Sequence, residues 1–268
     1  MPELPDVEGF RRVLDRAVGV RLDHLDVLDA GVLRGVSPPE IERELADRCF
    51  ARPWRRGKWL VAPVRSKGRK HRHDDASVVF HFGMTGGLRW SDPRSEPREP
   101  YDRVVFVTDE GELRYRDLRK LQGIRHVRGD REVEDLLHSL GPDACEVSAR
   151  DLRDRLTATR RQLKPALMDQ SMIAGLGNLL VDEILWRAFL HPTRSTGMLS
   201  RADCARLHRR MRAVLRHAMG DGLVPGHPSW LTGNRAEEGQ PCPRCGTPLR
   251  HSRVGGRTTV WCPHCQAR

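Results

Sequence analysis

Residues 240–266 read QPCPRCGTPLRHSRVGGRTTVWCPHCQ, and this stretch decides how the chain ends. Cys242 and Cys245 form one C-x2-C pair; after sixteen intervening residues, Cys262 and Cys265 form a second. Each pair bends two thiolates toward one point, the pattern of a tetrahedral four-thiolate zinc site on two knuckles. Two disulfides are the other use of four cysteines, but they suit an oxidising compartment, which the lack of a secretory signal argues against. Four protein ligands leave no open coordination position, so the ion is expected to hold a loop and not to activate water. Between the knuckles, Gly255-Gly256 precedes Arg257 and the β-prone run to Trp261, as in a hairpin that thrusts Arg257 from its tip. A fingertip guanidinium suits phosphate, although the run alone fits one surface arginine among many. Cys49, Cys145 and Cys204 have no partner spacing and read as core residues or bystanders.

Upstream of the finger the texture is helical. Ser148 to Leu156 carries an N-cap serine and an amphipathic pattern, Pro165 to Asp169 makes a turn or two, Gly177 to Phe189 is a helix, and Ser200 to Met219 is the longest. Gly-Pro punctuation at Leu140 to Asp143 closes off a different region before it. From Arg21 to Val127 run short alternating or β-branched segments: LDHLDVLD, WLVAPV, SVVFHF, RVVFVT, ELRYRD and GIRHV. Gly, Pro, Asp and Ser clusters separate them, which predicts a β-sandwich or barrel. Residues 5 to 19 read as one helix ahead of it. Two charged stretches, Arg65 to Asp75 and Ser91 to Pro100, read as solvated loops; the first holds His71 and His73, a spacing that could bind a metal but seldom does.

The 268 residues carry 47 Lys+Arg against 36 Asp+Glu, a formal net charge of +11. Such an excess, mostly arginine, favours a polyanionic partner, with nucleic acid ahead of a membrane surface; coding bias toward arginine explains it equally well. No stretch approaches the roughly 20 apolar residues of a membrane span, and the opening MPELPDVEGF lacks the layout of a secretory signal, so a cytosolic protein is expected.

That opening also offers chemistry. Removal of Met1 ahead of a small second residue leaves Pro2 as a secondary amine. An α-amine with a pKa of about 8 is unprotonated in roughly a tenth of molecules at pH 7, so it is a competent nucleophile toward a sugar C1′ without a specially buried lysine. Glu3 beside it is a candidate general acid. Alone, Pro2-Glu3 reads better as an ordinary frayed terminus.

Six segments in order turn these fragments into a resemblance: PELPDVE, WRRGKWLV, HFGMTG, YRDLRK, LKPALMDQSMIAGLGNLLVDEILWRAFLHP and GRTTVWCPHCQ. Across its whole length the chain resembles the formamidopyrimidine-DNA glycosylase / endonuclease VIII family of base-excision repair enzymes. The resemblance implies an α+β fold: an N-terminal helix plus β-sandwich domain, then a helix-two-turn-helix domain with a four-cysteine zinc finger, divided at residues 1–130, 131–236 and 237–268. It implies a bifunctional DNA glycosylase / abasic-site lyase acting as a monomer on damaged double-stranded DNA, with one structural zinc. Pro2 matches the nucleophile that forms a Schiff base before β- and δ-elimination, and Glu3 the proton donor to the sugar. Lys58 matches a strand lysine that binds the phosphate beside the lesion; Lys164, Asn178 with its helix N-terminus, and Arg257 match further phosphate contacts. An extruded nucleotide leaves a gap. Met84 and Leu121 match side chains wedged into it, and Arg119 one that pairs with the orphaned base.

Three departures qualify the match. Leu121 stands where an aromatic wedge is usual and stacks less well. Asp6 stands where purine-specific members usually carry Glu. Residues 220–240 are shorter than the segment that folds over the extruded base in members excising 8-oxoguanine, so lesion choice does not follow from the resemblance. A catalytically impaired damaged-DNA-binding protein is the second expectation.

Overall fold

The computed structural model describes residues 1–70 and 72–267; His71, one of the two loop histidines, lies outside them. The chain divides into two compact units, Met1–Pro2 with Asp6–Ser139, and Glu3–Pro5 with Leu140–Arg268.

The first unit is a β-sandwich with three helices: α1 (Leu4–Leu14, its first residues counted with the second unit), β1 (Leu22–Val27), α2 (Pro38–Leu45), β2 (Arg48–Phe50), β3 (Trp54–Arg56), β4 (Trp59–Ser66), β5 (Ala76–His81), β6 (Gly87–Ser91), β7 (Asp102–Thr108), β8 (Gly111–Arg116), β9 (Gly123–Arg128) and α3 (Gly129–Leu137). One antiparallel sheet runs β1-β7-β8-β6; the other runs β2-β4-β5-β9, with β3 also on β4. Side chains two residues apart share a face. Leu60, Ala62 and Val64 of β4 and Val78 and Phe80 of β5 therefore meet Val104 and Phe106 of β7 and Leu113 and Tyr115 of β8 in one buried core. Phe106 stands edge-on to Phe50 and Phe80 at 5.5 and 5.9 Å. Each of the six quoted β-runs lies on a strand. The expected N-terminal helix is shorter than residues 5 to 19, ending at Leu14 before a 3-10 turn. Helices α2 and α3 were not expected: Pro38 and Pro39 start α2 where a missing N–H costs nothing, and α3 lies before the Gly-Pro boundary.

The loop 91–100 is not simply solvated. Arg114, 1% exposed, donates to the carbonyls of Glu96 and Pro97 at 2.7 and 2.9 Å, and Arg89 pairs with Glu96 at 2.6 Å.

The second unit is helical: α4 (Ala149–Thr157), α5 (Leu163–Met168), α6 (Asn178–Arg187) and α7 (Arg201–Asp221), then a hairpin of β10 (Arg250–Val254) and β11 (Arg257–Trp261). Ser148 caps α4 by accepting from Asp151 N, and Ser200 with Asp203 forms a reciprocal capping box at α7. Leu152, Leu156, Leu167, Ile173, Leu176, Ile184, Leu207 and Met211 build its core, which Leu4 joins. No helix among the described residues is long and apolar enough to cross a membrane.

Candidate active site

The N-terminal carboxylate and the glycine turn before α6 belong together. Glu3 is 1% exposed. Its Oε1 accepts from Leu179 N at 2.7 Å and its Oε2 from Leu180 N at 3.1 Å, so Glu3 occupies the amides that open α6. A helix N-terminus favours such an anion through its unpaired N–H groups and dipole. These amides were expected to hold a phosphate; the structure gives them to Glu3. Glycine makes room: a Cβ at Gly177 would lie 2.3 Å from Glu3 Cδ, and one at Gly175, whose φ is +109°, 2.4 Å from Leu4 Cδ1. Asn178, the first helical residue, keeps a buried Oδ1 with no hydrogen-bond partner. Pro2 is half-buried behind an exposed Met1.

Lys164 is not where the sequence reading put it. Expected at a phosphate, it is fully buried on α5, its Nζ 2.6 Å from Asp182 Oδ1 and 3.0 Å from the Thr258 carbonyl. Asp182 Oδ2 in turn accepts from Val260 N at 3.2 Å and lies 3.4 Å from Arg235. Burial pushes the Lys164 ammonium down and the Asp182 carboxyl up, each opposed by the other's charge. This pair ties α5 and α6 to β11, the strand that begins with Arg257. Arg257 is exposed directly after Gly255 and Gly256, whose φ values of 58° and 75° suit a two-residue hairpin of the right twist.

The four cysteine Sγ atoms lie within 4.8 Å of one another. A tetrahedron with Zn–S bonds of about 2.3 Å has edges of about 3.8 Å, so the donors fit one structural zinc ion. Trp186 Nε1 donates to Cys242 Sγ at 3.4 Å, Arg244 Nη1 to the Trp186 carbonyl at 3.1 Å, and Gln266 Nε2 to the Leu190 carbonyl at 2.9 Å, docking the finger on α6 and the turn after it. Residues 220–240 are anchored at Trp230 and Leu231. Trp230 and Leu231 are buried, Leu231 N donates to Glu183 Oε2 at 2.7 Å, and Arg187 lies over the Trp230 ring. Burial raises the Glu183 carboxyl's pKa, with Arg187 opposing the shift.

In the first unit, Lys58 follows Gly57 in the two-residue turn between β3 and β4 and is half-buried; Gly57 takes φ +57°. His81, across from Trp59, is pushed down to about 4, first by burial and then by the charges of Lys58 and Arg125. Its neutral Nδ1 can therefore accept from Gly83 N at 3.1 Å. Met84 and Arg119 meet, Arg119 Nη1 lying 3.0 Å from Met84 Sδ. Leu121 is 50% exposed, and Leu118, which the sequence reading passed over, is 52% exposed. Asp6 sits in the first turn of α1. Cys49 and Cys204 are buried and Cys145 half-buried, as core residues are. His73 pairs with Asp130, and the four finger cysteines form the metal-suited cluster found among the described residues.

Fold and site together define a β-sandwich joined to a helical, zinc-finger-bearing unit with a buried carboxylate at the start of α6. Comparison with known proteins gives the family. Residues 1–124 match the formamidopyrimidine-DNA glycosylase N-terminal domain, residues 140–224 its H2TH domain, and residues 239–268 the zinc finger found in FPG and IleRS. The chain is 35% identical over 290 residues to the formamidopyrimidine-DNA glycosylase of Bacillus licheniformis and 34% identical to that of Bacillus subtilis, covering 100% of each chain in both cases. It resembles solved structures of the Lactococcus lactis Fpg at 28% identity with full coverage of both chains: a complex with DNA containing N7-benzyl-Fapy-dG at a TM-score of 0.87, and one non-covalently bound to DNA containing an AP site at 0.85. The chain belongs to the formamidopyrimidine-DNA glycosylase family.

Proposed function

We propose that this base-excision DNA glycosylase and abasic-site lyase works through Pro2 and Glu3 on a nucleotide extruded from damaged duplex DNA. Once Met1 is removed, the Pro2 nitrogen attacks C1′ and the C1′–base bond breaks, the base leaving with the electron pair. Glu3 protonates the sugar ring oxygen, and the ring opens to an iminium between Pro2 and C1′. The iminium acidifies the C2′ proton; its loss expels the 3′ phosphate by β-elimination, and δ-elimination expels the 5′ phosphate. Lys58, Asn178 and Arg257 bind backbone phosphates, while Met84 and Leu121 fill the gap and Arg119 faces the orphaned base. Lys164 acts indirectly, bracing the strand that carries Arg257.

The observation carrying this reading is the Glu3 carboxylate held by two α6 amides over glycines with no space for a side chain. These bonds fix where the carboxylate sits and favour its ionised form, so Glu3 takes up the proton that the Pro2 nitrogen releases on attack and passes it to the ring oxygen. We extend the reading to domains 1–130, 131–236 and 237–268, and to a monomer in the bacterial cytoplasm, in keeping with the bacterial relatives. A panel of duplexes carrying oxidised pyrimidines, ring-opened purines or abasic sites tests it: wild type should release at least one base and cut the strand, and E3Q should lose base release. Equal base release by E3Q would overturn Glu3's role.

A further inference from the structure

We infer that Asp117 is a positioning residue that assembles the gap-filling side chains into one unit, an inference that rests on the roles proposed above for Met84, Arg119 and Leu121. Asp117 is 1% exposed, just past the end of β8. Its Oδ1 accepts from Thr85 Oγ1 at 2.6 Å and from Arg119 N at 3.0 Å; the same Arg119 N–H also reaches Thr85 Oγ1 at 3.0 Å. One carboxylate oxygen thus ties the residue after Met84 to the backbone of Arg119. Tyr115 Oη lies 3.5 Å from Oδ2, and Arg103 Nε donates to the Asp117 backbone carbonyl at 2.8 Å, so side chain and backbone of Asp117 are each held.

The backbone on either side shows why such a clamp is needed. Lys120 has a φ of 52°, a left-handed conformation that a lysine adopts only where its surroundings impose it. Arg34 Nη2 holds the Lys120 carbonyl at 2.7 Å, and Asp29 Oδ2 holds its Nζ at 2.9 Å. The turn at Lys120 separates Arg119 from Leu121. On the facing loop, His81 Nδ1 holds Gly83 N, and a Cβ on Gly83 would lie 3.6 Å from Leu121 Cβ. Gly86 is pinned by its N–H to the Phe82 carbonyl at 2.8 Å, where a Cβ would sit 2.5 Å from that oxygen. The two loops therefore have fixed ends, and the Asp117–Thr85–Arg119 triangle joins their middles. A side chain that must enter a base stack gains from being positioned beforehand, and a displacement of about 1 Å can cost on the order of a hundredfold in rate.

The test compares T85A, T85S, D117A and D117N with M84A and R119A. Base release from a lesion-containing duplex is measured opposite each of the four bases, and borohydride trapping is measured on a single-stranded abasic oligonucleotide, which needs no extrusion. Thr85 is exposed, so T85A keeps the test open if D117A does not fold. The expected result is a loss of at least about tenfold in duplex kcat/KM for T85A and D117A, with opposite-base preference flattened as in R119A and single-strand trapping within about twofold of wild type. T85S and D117N, which keep a hydroxyl and an acceptor oxygen in place, should stay within about threefold. The inference is overturned if M84A and R119A fall while T85A and D117A match wild type, or if T85S and D117N are as poor as the alanines. It is equally overturned if T85A loses single-strand trapping in step with duplex activity. M84A and R119A both at wild-type level would instead remove the gap-filling reading on which the inference stands.

Discussion

Substituting Gly177 by alanine should remove base excision while leaving the fold in place. Gly177 has φ −132° and ψ −166°, an extended conformation open to alanine, so the backbone does not resist the change. The added methyl does. It would lie 2.3 Å from Glu3 Cδ and 2.5 Å from Oε1, where ordinary contact begins at 3.4 Å, so the carboxylate must retreat by at least about 1 Å. That displacement breaks or stretches the bonds from Leu179 N and Leu180 N, now 2.7 and 3.1 Å. Such bonds are worth about 1 kcal/mol each when neutral and roughly 1.5–3 when one partner is charged. Losing both bonds to the charged carboxylate should therefore cost about 3–6 kcal/mol, and stretching them less, while the loss of base release should be on the order of a hundredfold, the scale for a displaced general acid. The assay is single-turnover base release, run beside strand cleavage at a preformed abasic site, whose sugar already equilibrates with its ring-opened aldehyde and so depends less on protonation of the ring oxygen by Glu3. G220A is the control, since a Cβ there meets nothing within 4 Å and lies inside α7. Wild-type base release by G177A would refute the placement of Glu3.

Removing one partner of the buried Lys164–Asp182 pair, as in K164M, should cost about 3 kcal/mol in urea unfolding, Arg235 compensating part of the charge left on Asp182; unchanged stability would contradict a bracing role. For His81 the folded pKa of about 4 lies below its ordinary 6.5, so the unfolded chain binds its proton first. Its contribution, at most about 3 kcal/mol, is complete above pH 6.5 and is lost as pH falls through 4; H81Q should flatten the dependence of stability on pH across that window. Alanine at Lys58 or Arg257 should weaken DNA binding similarly for all sequences and reduce the slope of log K against log salt by about one each, whereas K164A should leave that slope unchanged.

What could be read from the sequence was what is local in it. The two C-x2-C pairs, the Gly-Gly turn before Arg257 and the capping box of Ser200 and Asp203 each declare themselves within a few residues. Helix α2 carried its own signal in Ser37-Pro38-Pro39, hidden by the β-rich runs around it. Other features depend on partners far along the chain. Glu3 meets amides 176 residues away, and Lys164 meets Asp182 and the Thr258 carbonyl, 18 and 94 residues off. No spacing rule would have moved that lysine from a phosphate to the interior. Asp117 was visible inside the YRDLRK run, but its hold on Thr85 follows only from β8 and the β5–β6 loop lying together. The resemblance assigned roles to single residues; the structure shows what holds them in place.

The most direct test of the account is covalent. Protein incubated with a lesion-containing duplex and borohydride should yield a trapped adduct, and peptide mapping should place the reduced sugar on the nitrogen of an N-terminal Pro2 from which Met1 has been removed, with acetylation of that nitrogen abolishing the adduct. An intact Met1 on active protein, or an adduct mapped to Lys58 or another lysine, would contradict it.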